Sequence, residues 1–193
     1  LHLNDGSVPL YSKLVEAPNG MLYGMTSESY TGRGAIYSYD PVSDSYMRIH
    51  SFYLTSQGDS PYGSLVLTPN GKLYGMTYKG GASNHGVLFE YDLTNNTYTK
   101  RVDFNQNTTG RNPHGRLTIA TNGMLYGLTR NGGLNSSGTL FEFNTTNNTL
   151  TKKLDLDTCG VRFSSGSLMA ANNGKLYGMC GFGGTNGKGT LFE

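Results

Sequence analysis

Residues 70–77 read Asn70-Gly71-Lys72-Leu73-Tyr74-Gly75-Met76-Thr77, and closely similar stretches occur four times in the chain. The Leu-Tyr-Gly tripeptide inside it begins at Leu22, Leu73, Leu125 and Leu176, so that one copy takes 51 or 52 residues. An Asn-Gly pair precedes every copy of the tripeptide, and three of the four copies have a Gly-Gly pair after it. Self-similarity at a fixed period indicates a repeat protein.

Each copy is predicted to form four short antiparallel strands. Asn-Gly is the strongest short hairpin signal, and Asp or Asn in the later turn bonds its own backbone. In the second copy we predict strands at Ser64–Thr68, Lys72–Thr77, Val87–Tyr91 and Thr97–Phe104. The third copy repeats the later part, with the turn at Asn144–Asn148 and the strand at Leu150–Leu156.

A unit of four short strands cannot bury both faces alone, but radial stacking of such units buries them. The period therefore predicts an all-β fold, a β-propeller or part of one, built from four-stranded antiparallel blades. An open β-solenoid is the alternative. We treat residues 1–193 as a single tandem-repeat region, with repeats at approximately 4–52, 53–104, 105–156 and 157–193, the last incomplete.

The two ends of the chain predict an open array rather than a self-sufficient ring. Glu193 falls inside the third strand of the fourth copy, and Leu1-His2-Leu3 matches the tail of a fourth strand, Leu154-Asp155-Leu156. We expect further blades from additional sequence or from another subunit. A four-bladed ring completed by the N-terminal residues is the alternative.

Composition excludes several classes of function. Only 15% of the residues are charged and the formal net charge is +2, too small to favour nucleic acid or an anionic membrane. No apolar run approaches the roughly 18 residues of a membrane span. The sequence carries no metal-ligand spacing and no cofactor motif, so we predict neither a metal nor a cofactor.

The two cysteines are predicted to form a disulfide. Cys180 stands at the end of the second strand of copy four, and Cys159 lies in the loop that leads into the first strand. Because these strands are antiparallel, both positions meet at one edge of the sheet.

Residues 36–46, Ile36-Tyr37-Ser38-Tyr39-Asp40-Pro41-Val42-Ser43-Asp44-Ser45-Tyr46, resemble the third-to-fourth-strand hairpin of Kelch repeats, with Tyr46 where Kelch usually has Trp. The order Asn-Gly-x-Leu-Tyr-Gly-x-Thr, Gly-Gly, Gly-x-Leu-Phe more closely resembles the bacterial Gloeo/Verruco tandem repeat. That resemblance covers nearly the whole chain and implies a propeller-like fold and export, but no reaction. The first copy departs from the pattern, because its loop, Ser27–Arg33, is shorter and lacks Gly-Gly.

Two repeated features are predicted to be structural. Leu and Tyr of the tripeptide alternate across the pleat, so one should face each neighbouring blade. Glu90, Glu142 and Glu193 recur on the third strand and could ring a channel, although Ser38 would break the ring. We favour a hydrogen bond to neighbouring backbone, or simple exposure, for these carboxylates.

The longer, copy-specific loops are predicted to share one end of the blades. They are the Gly-Gly loops (78–85, 130–137, 181–188) and the loops between blades (53–62, 105–114, 157–165). Variation confined to one face is typical of a binding surface. The candidate ligand-binding residues on it are Tyr62, Lys79, His85, Arg111, His114, Arg130 and Phe182.

Three functions stay open at this point. The first is a non-catalytic module, secreted or on the cell surface, that binds a glycan or a protein through this loop face. The second is a structural subunit that assembles with further copies of itself. The third is a secreted hydrolase or lyase with a site at the propeller mouth, for which His85 and His114 with Arg111 are the candidates.

Overall fold

The computed structural model describes residues 6–7, 12–29, 32–159, 161–162, 166–184 and 186–193. These residues form an all-β array of antiparallel sheets, as predicted. Helix is limited to three short 3-10 segments within the described ranges: Thr55–Gln57, Leu134–Ser136 and Leu156–Cys159.

Blades 1 and 2 are the sheets of the first two copies. Blade 1 has the strand order β2-β3-β5-β6, and the short pair β1-β4 accompanies it. Blade 2 has the order β7-β8-β9-β10. The strands are β1 (Gly6–Ser7), β2 (Val15–Glu16), β3 (Leu22–Thr26), β4 (Glu28–Ser29), β5 (Ala35–Asp40), β6 (Ser45–Ser51), β7 (Val66–Leu67), β8 (Lys72–Thr77), β9 (Val87–Asp92) and β10 (Thr97–Asp103).

Blades 3 and 4 repeat the arrangement. Blade 3 has the order β11-β12-β13-β14, and blade 4 has three strands in the order β16-β17-β19 beside the pair β15-β18. The strands are β11 (Arg111–Ile119), β12 (Leu125–Asn131), β13 (Thr139–Asn144), β14 (Thr149–Asp155), β15 (Val161–Arg162), β16 (Met169–Ala170), β17 (Leu176–Cys180), β18 (Phe182–Gly183) and β19 (Thr190–Phe192).

The Asn-Gly turns fix the hairpin between the first and second strands of each blade. Gly71 has φ 76°, in the left-handed region where a side chain is strained. Its amide donates to the Thr68 carbonyl, and the Asn70 side chain accepts from the Lys72 amide. The turn leaves only two paired residues in β7, so the first strand is shorter than the predicted Ser64–Thr68.

The Leu-Tyr alternation builds the contacts between blades, as predicted. Tyr23 of blade 1 and Leu73 of blade 2 share one apolar core. Tyr74 of blade 2 meets Leu125 of blade 3 in a second core, and Tyr126 packs with Leu176 of blade 4 against a third. In every pair the tyrosine faces the following blade and the leucine faces the preceding one.

The first strands of successive blades, with the residues that lead into them, approach closely, which places them on the inner side of the stack. A Cβ on Gly63 would lie 2.0 Å from the carbonyl oxygen of Gly115 in the next blade. The Lys13 amide donates to Ser64 Oγ at 2.7 Å, and the Arg116 amide donates to Ser167 Oγ at 2.9 Å. Radially stacked four-stranded sheets of this kind are propeller blades, and the predicted fold class is confirmed.

Candidate functional site

The long loops of blades 2 and 3 lie together at one end, which we call the loop end. In blade 2, Asp59 and Lys79 exchange backbone hydrogen bonds of 2.8 and 2.9 Å and so join the loop between blades to the Gly-Gly loop. In blade 3, Arg111 is paired with Asn131 across the same two loops. The short Asn-Gly and Asp or Asn turns lie at the opposite end, the turn end.

Three aromatic rings meet at the loop end, across the seam between blades 2 and 3. The Tyr62 ring lies 5.2 Å from that of Tyr78 and 5.9 Å from that of His114, and Tyr78 meets His114 edge-on at 6.2 Å. His114 is buried, whereas Tyr62 and Tyr78 are partly exposed. The cluster thus presents an aromatic surface that belongs to two blades.

His85 and Arg111 lie beside this cluster, on adjoining loops. The Asn112 amide donates to the His85 carbonyl at 2.8 Å, and the Asn112 side chain donates to the Tyr78 carbonyl at 2.9 Å. His85 Nδ1 and Arg111 Nε are both buried, and neither has a hydrogen-bond partner among the residues that the structure describes. Buried polar atoms are normally paired, so two such atoms on neighbouring loops are unusual.

The remaining predicted residues lie outside this cluster. Lys79 and Arg130 are exposed at the same end, on the loops of blades 2 and 3. Phe182 lies in β18 of blade 4, where it is 59% exposed, two blades away from Tyr62. The structure therefore groups Tyr62, His85, Arg111 and His114, and it adds Tyr78 and Asn112, which sequence reasoning missed. Tyr78 directly follows β8 and precedes Lys79, which the sequence did select. Its place at the start of the Gly-Gly loop could therefore have identified it as a candidate.

Glu90 departs from what the sequence led us to expect, because its partners are side chains rather than backbone. Lys72 Nζ lies 2.5 Å from Oε1, and the Tyr74 hydroxyl donates to Oε2 at 2.8 Å. Arg101 Nε donates to Oε2 at 3.0 Å. The Glu90 side chain is only 3% exposed, so this is a buried, multiply bonded carboxylate.

These contacts shift the titration of both buried partners. Burial raises the pKa of Glu90, but the hydrogen bonds from Lys72, Tyr74 and Arg101 outweigh burial and hold that pKa below its ordinary value. Burial, followed by the hydrogen bond to Glu90, raises the pKa of Tyr74 well above that of a free tyrosine. Glu90 is thus a stable anion at neutral pH. Its hydrogen bonds link β9 to the neighbouring strands β8 and β10 within blade 2.

The equivalent carboxylates are held less tightly. Glu142 accepts a hydrogen bond from Tyr126, and Lys153 Nζ lies 3.6 Å from it, with the Glu142 side chain 22% exposed. Glu193 pairs with Lys175 and is 49% exposed. Each carboxylate thus has a cation partner within its own blade. The described residues contain no cluster of three or more His, Cys, Asp or Glu that could hold a metal.

The predicted disulfide falls partly outside the described residues. Cys180 is buried at the end of β17, with 6% exposure. The side chain of Cys159 is not among those described, and the bridge stays a prediction.

A match with a family model shows to which repeat family the chain belongs. The model of the Gloeobacter/Verrucomicrobia repeat matches residues 8–193. The chain belongs to this repeat family. The finer resemblance to Kelch repeats stays a prediction. No curated protein matches the chain.

Two solved structures from B. thetaiotaomicron share the fold. One is described as the extracellular domain of a hybrid two-component system, with 14% identity, a TM-score of 0.65 and coverage of 100% of this chain. The other is described as the extracellular domain of a one-component system, with 14% identity, a TM-score of 0.60 and coverage of 92%. The chain spans 23% and 21% of these two proteins. Among the residues described here, no helix is both long and apolar enough to cross a membrane.

Proposed function

We propose that this chain is part of an extracellular or cell-surface module that binds a glycan or a protein through the loop end of its blades. Both structural neighbours are extracellular domains, one of a hybrid two-component system and one of a one-component system, which supports an extracellular location. Their low identity carries no ligand across to this chain, so the binding argument rests on its own residues.

The observation that carries the proposal is the aromatic cluster of Tyr62, Tyr78 and His114, with the partly exposed His85 and Arg111 on the adjoining loops. Binding sites are commonly lined by aromatic side chains with a few polar groups that fix orientation. Tyr62 and Tyr78 supply rigid amphipathic rings. His85 and Arg111 are partly exposed on the adjoining loops, and the guanidinium donors of Arg111 can bond a ligand oxygen.

The rigid blades beneath the cluster explain how loops can hold such a site. Tyr78 follows β8 directly and His114 lies within β11, so both rings are anchored to strands. The Asn112 bonds tie the loops of the two blades together. Sites supported by rigid elements lose little conformational entropy when a ligand binds.

A glycan array followed by titration tests the proposal. We expect Tyr62→Ala and Arg111→Ala to weaken binding by about tenfold or more, as truncation of an anchoring residue does. Asn95→Ala, at the turn end, is the matched control and should bind like the wild type. Equal losses in all three variants, or a loss in the control alone, would overturn the assignment to the loop end. If no glycan binds, the glycan form of the proposal fails.

A further inference from the structure

The outer strands of blades 2 and 3 each carry an ion pair within the blade. Lys100 Nζ lies 2.7 Å from Asp103 Oδ2, and Lys152 Nζ lies 2.8 Å from Asp155 Oδ2. In both blades the other carboxylate oxygen accepts a hydrogen bond of 2.9 Å from an amide of the Gly-Gly loop. The aspartate thus balances the charge of the lysine and holds the loop against the strand.

Blade 1 keeps the cation of this pair but has a different residue in place of the carboxylate. By the strand register, Arg48 of β6 holds the repeat position of Lys100 in β10. Ser51 of β6 holds the position of Asp103. Among the residues that the structure describes, Arg48 makes no ion pair and no side-chain hydrogen bond. Serine in place of aspartate therefore gives blade 1 a cation without the partner that its counterparts have.

A polar cavity of 430 Å³ lies beside this cation, at the outer side of the seam between blades 1 and 2. It is lined by Arg48, Ile49, His50, Ser51, Tyr53 and Gln57. The Tyr98 hydroxyl of blade 2 donates to the Gln57 carbonyl, and the Tyr98 ring stacks on the His50 ring with 4.1 Å between their centroids. These contacts attach the wall of the cavity to both blades.

The lining residues define which ligand the cavity can hold. Arg48 is their one charged group at neutral pH, because burial lowers the pKa of His50 to about 4, and its guanidinium presents a fork of donors that matches a carboxylate. Tyr53 is 58% exposed and offers an aromatic face on which a sugar ring can stack. The Gln57 side chain makes no hydrogen bond with the described residues and can bond hydroxyl groups.

We propose that this cavity binds a carboxylated sugar, the uronic acid unit of an acidic glycan. The ligand carboxylate pairs with Arg48, as Asp103 pairs with Lys100 in blade 2, and the sugar ring packs on Tyr53. The aromatic face favours a sugar over the acidic side chain of a peptide, which has no ring to stack. The site shares no residue with the aromatic cluster at the next seam, so it stands independently of the proposed function.

Amide chemical shifts of the labelled chain test the site during titration with D-glucuronate, D-glucose, acetate and triglutamate. We expect D-glucuronate to shift the amides of residues 48–57. It should bind roughly tenfold more tightly than D-glucose, which lacks the carboxylate, since a hydrogen bond to a charged group contributes about that factor or more. It should also bind more tightly than acetate or triglutamate, which lack the sugar ring.

Ser51→Asp is the decisive variant, because it gives blade 1 the carboxylate that blades 2 and 3 already have. The new aspartate should pair with Arg48 and weaken D-glucuronate binding by about tenfold or more, without lowering the melting temperature. Arg48→Gln should weaken binding to the same extent. Lys100→Gln is the matched control and should bind like the wild type, because Asp103 already pairs with that cation.

Four results would overturn the proposal. The first is a folded Ser51→Asp or Arg48→Gln variant that binds D-glucuronate like the wild type. The second is equal binding of acetate and D-glucuronate, which would indicate an adventitious ion only. The third is tighter binding of triglutamate, which would assign the cavity to a protein partner. The fourth is D-glucuronate shifts centred on Tyr62, Tyr78 and His114, which would leave the proposed function intact and remove this second site.

Discussion

Replacing Glu90 by glutamine removes one buried charge while keeping the length of the side chain and one acceptor oxygen. The remaining oxygen can still accept from Tyr74 and Arg101, but the new amide group then faces Lys72, donor against donor. Hydrogen bonds to charged groups contribute about 1.5–3 kcal/mol each. Lys72 and Arg101 are 29% and 24% exposed and can regain water, which limits the loss. We expect the free energy of unfolding to fall by about 2–3 kcal/mol at neutral pH.

Glu142→Gln is the matched control, because Glu142 holds the same repeat position in blade 3. Its side chain is 22% exposed and its cation partner, Lys153, is 44% exposed. We expect a loss of about 1 kcal/mol or less for this partly solvated pair. Denaturant unfolding followed by circular dichroism measures both variants. A Glu142→Gln loss equal to or larger than that of Glu90→Gln would refute the argument from burial.

The same pair of proteins gives a pH test with a fixed sign. The pKa of Glu90 is lowered in the folded state, so its contribution to stability is present above the unfolded pKa, about 4.3. That contribution is lost as the pH falls through the folded pKa. The stability difference between wild type and Glu90→Gln should therefore shrink on acidification. A difference that stays constant as the pH falls would contradict the buried anion.

Other predictions follow from single positions. Gly63→Ala should lower the free energy of unfolding by about 3 kcal/mol or more, because φ is 133° and the new methyl group would clash with Gly115. Gly71→Ala, where φ is 76° and the surrounding space is open, should lower it by only about 1–2 kcal/mol in the same unfolding assay. Burial lowers the pKa of His50 to about 4, so wild-type stability should decline as the pH falls from about 6.5 toward that value; His50→Phe, which keeps a ring stacked on Tyr98, should show a smaller decline in thermal melts over that interval.

The repeat makes most of the fold predictable from sequence. Asn-Gly turns and the 51–52-residue period place the strands, and the Leu-Tyr alternation correctly predicts that Leu73 and Tyr74 face different neighbouring blades. Each of these features depends on local geometry that every copy shares. The sequence pattern of a single repeat was therefore sufficient to predict the strands and the contacts between blades.

Features that depend on copy-specific neighbours were beyond the sequence. Glu90 and Glu142 share a repeat position, but Lys72 beside Glu90 is replaced by Met124 in the next copy, and the two carboxylates differ in burial. The aromatic cluster joins Tyr62 and Tyr78 to His114 across the seam between two blades. The repeat length does not determine how two blades are placed relative to each other, so these contacts could not be predicted. The sequence could list the loop residues, but it could not tell which of them meet across a seam.

Residue-level mapping of a bound ligand tests the central claim, that recognition belongs to the loop end. Amide chemical shifts of the labelled chain would be followed during titration with a ligand identified by the array. We predict that the perturbed amides cluster around Tyr62, Tyr78, His85 and Asn112, while those at Asn70 and Asn95 stay unchanged. Perturbations concentrated at the turn end, or on the exposed face of blade 1 around Leu14, would contradict the account.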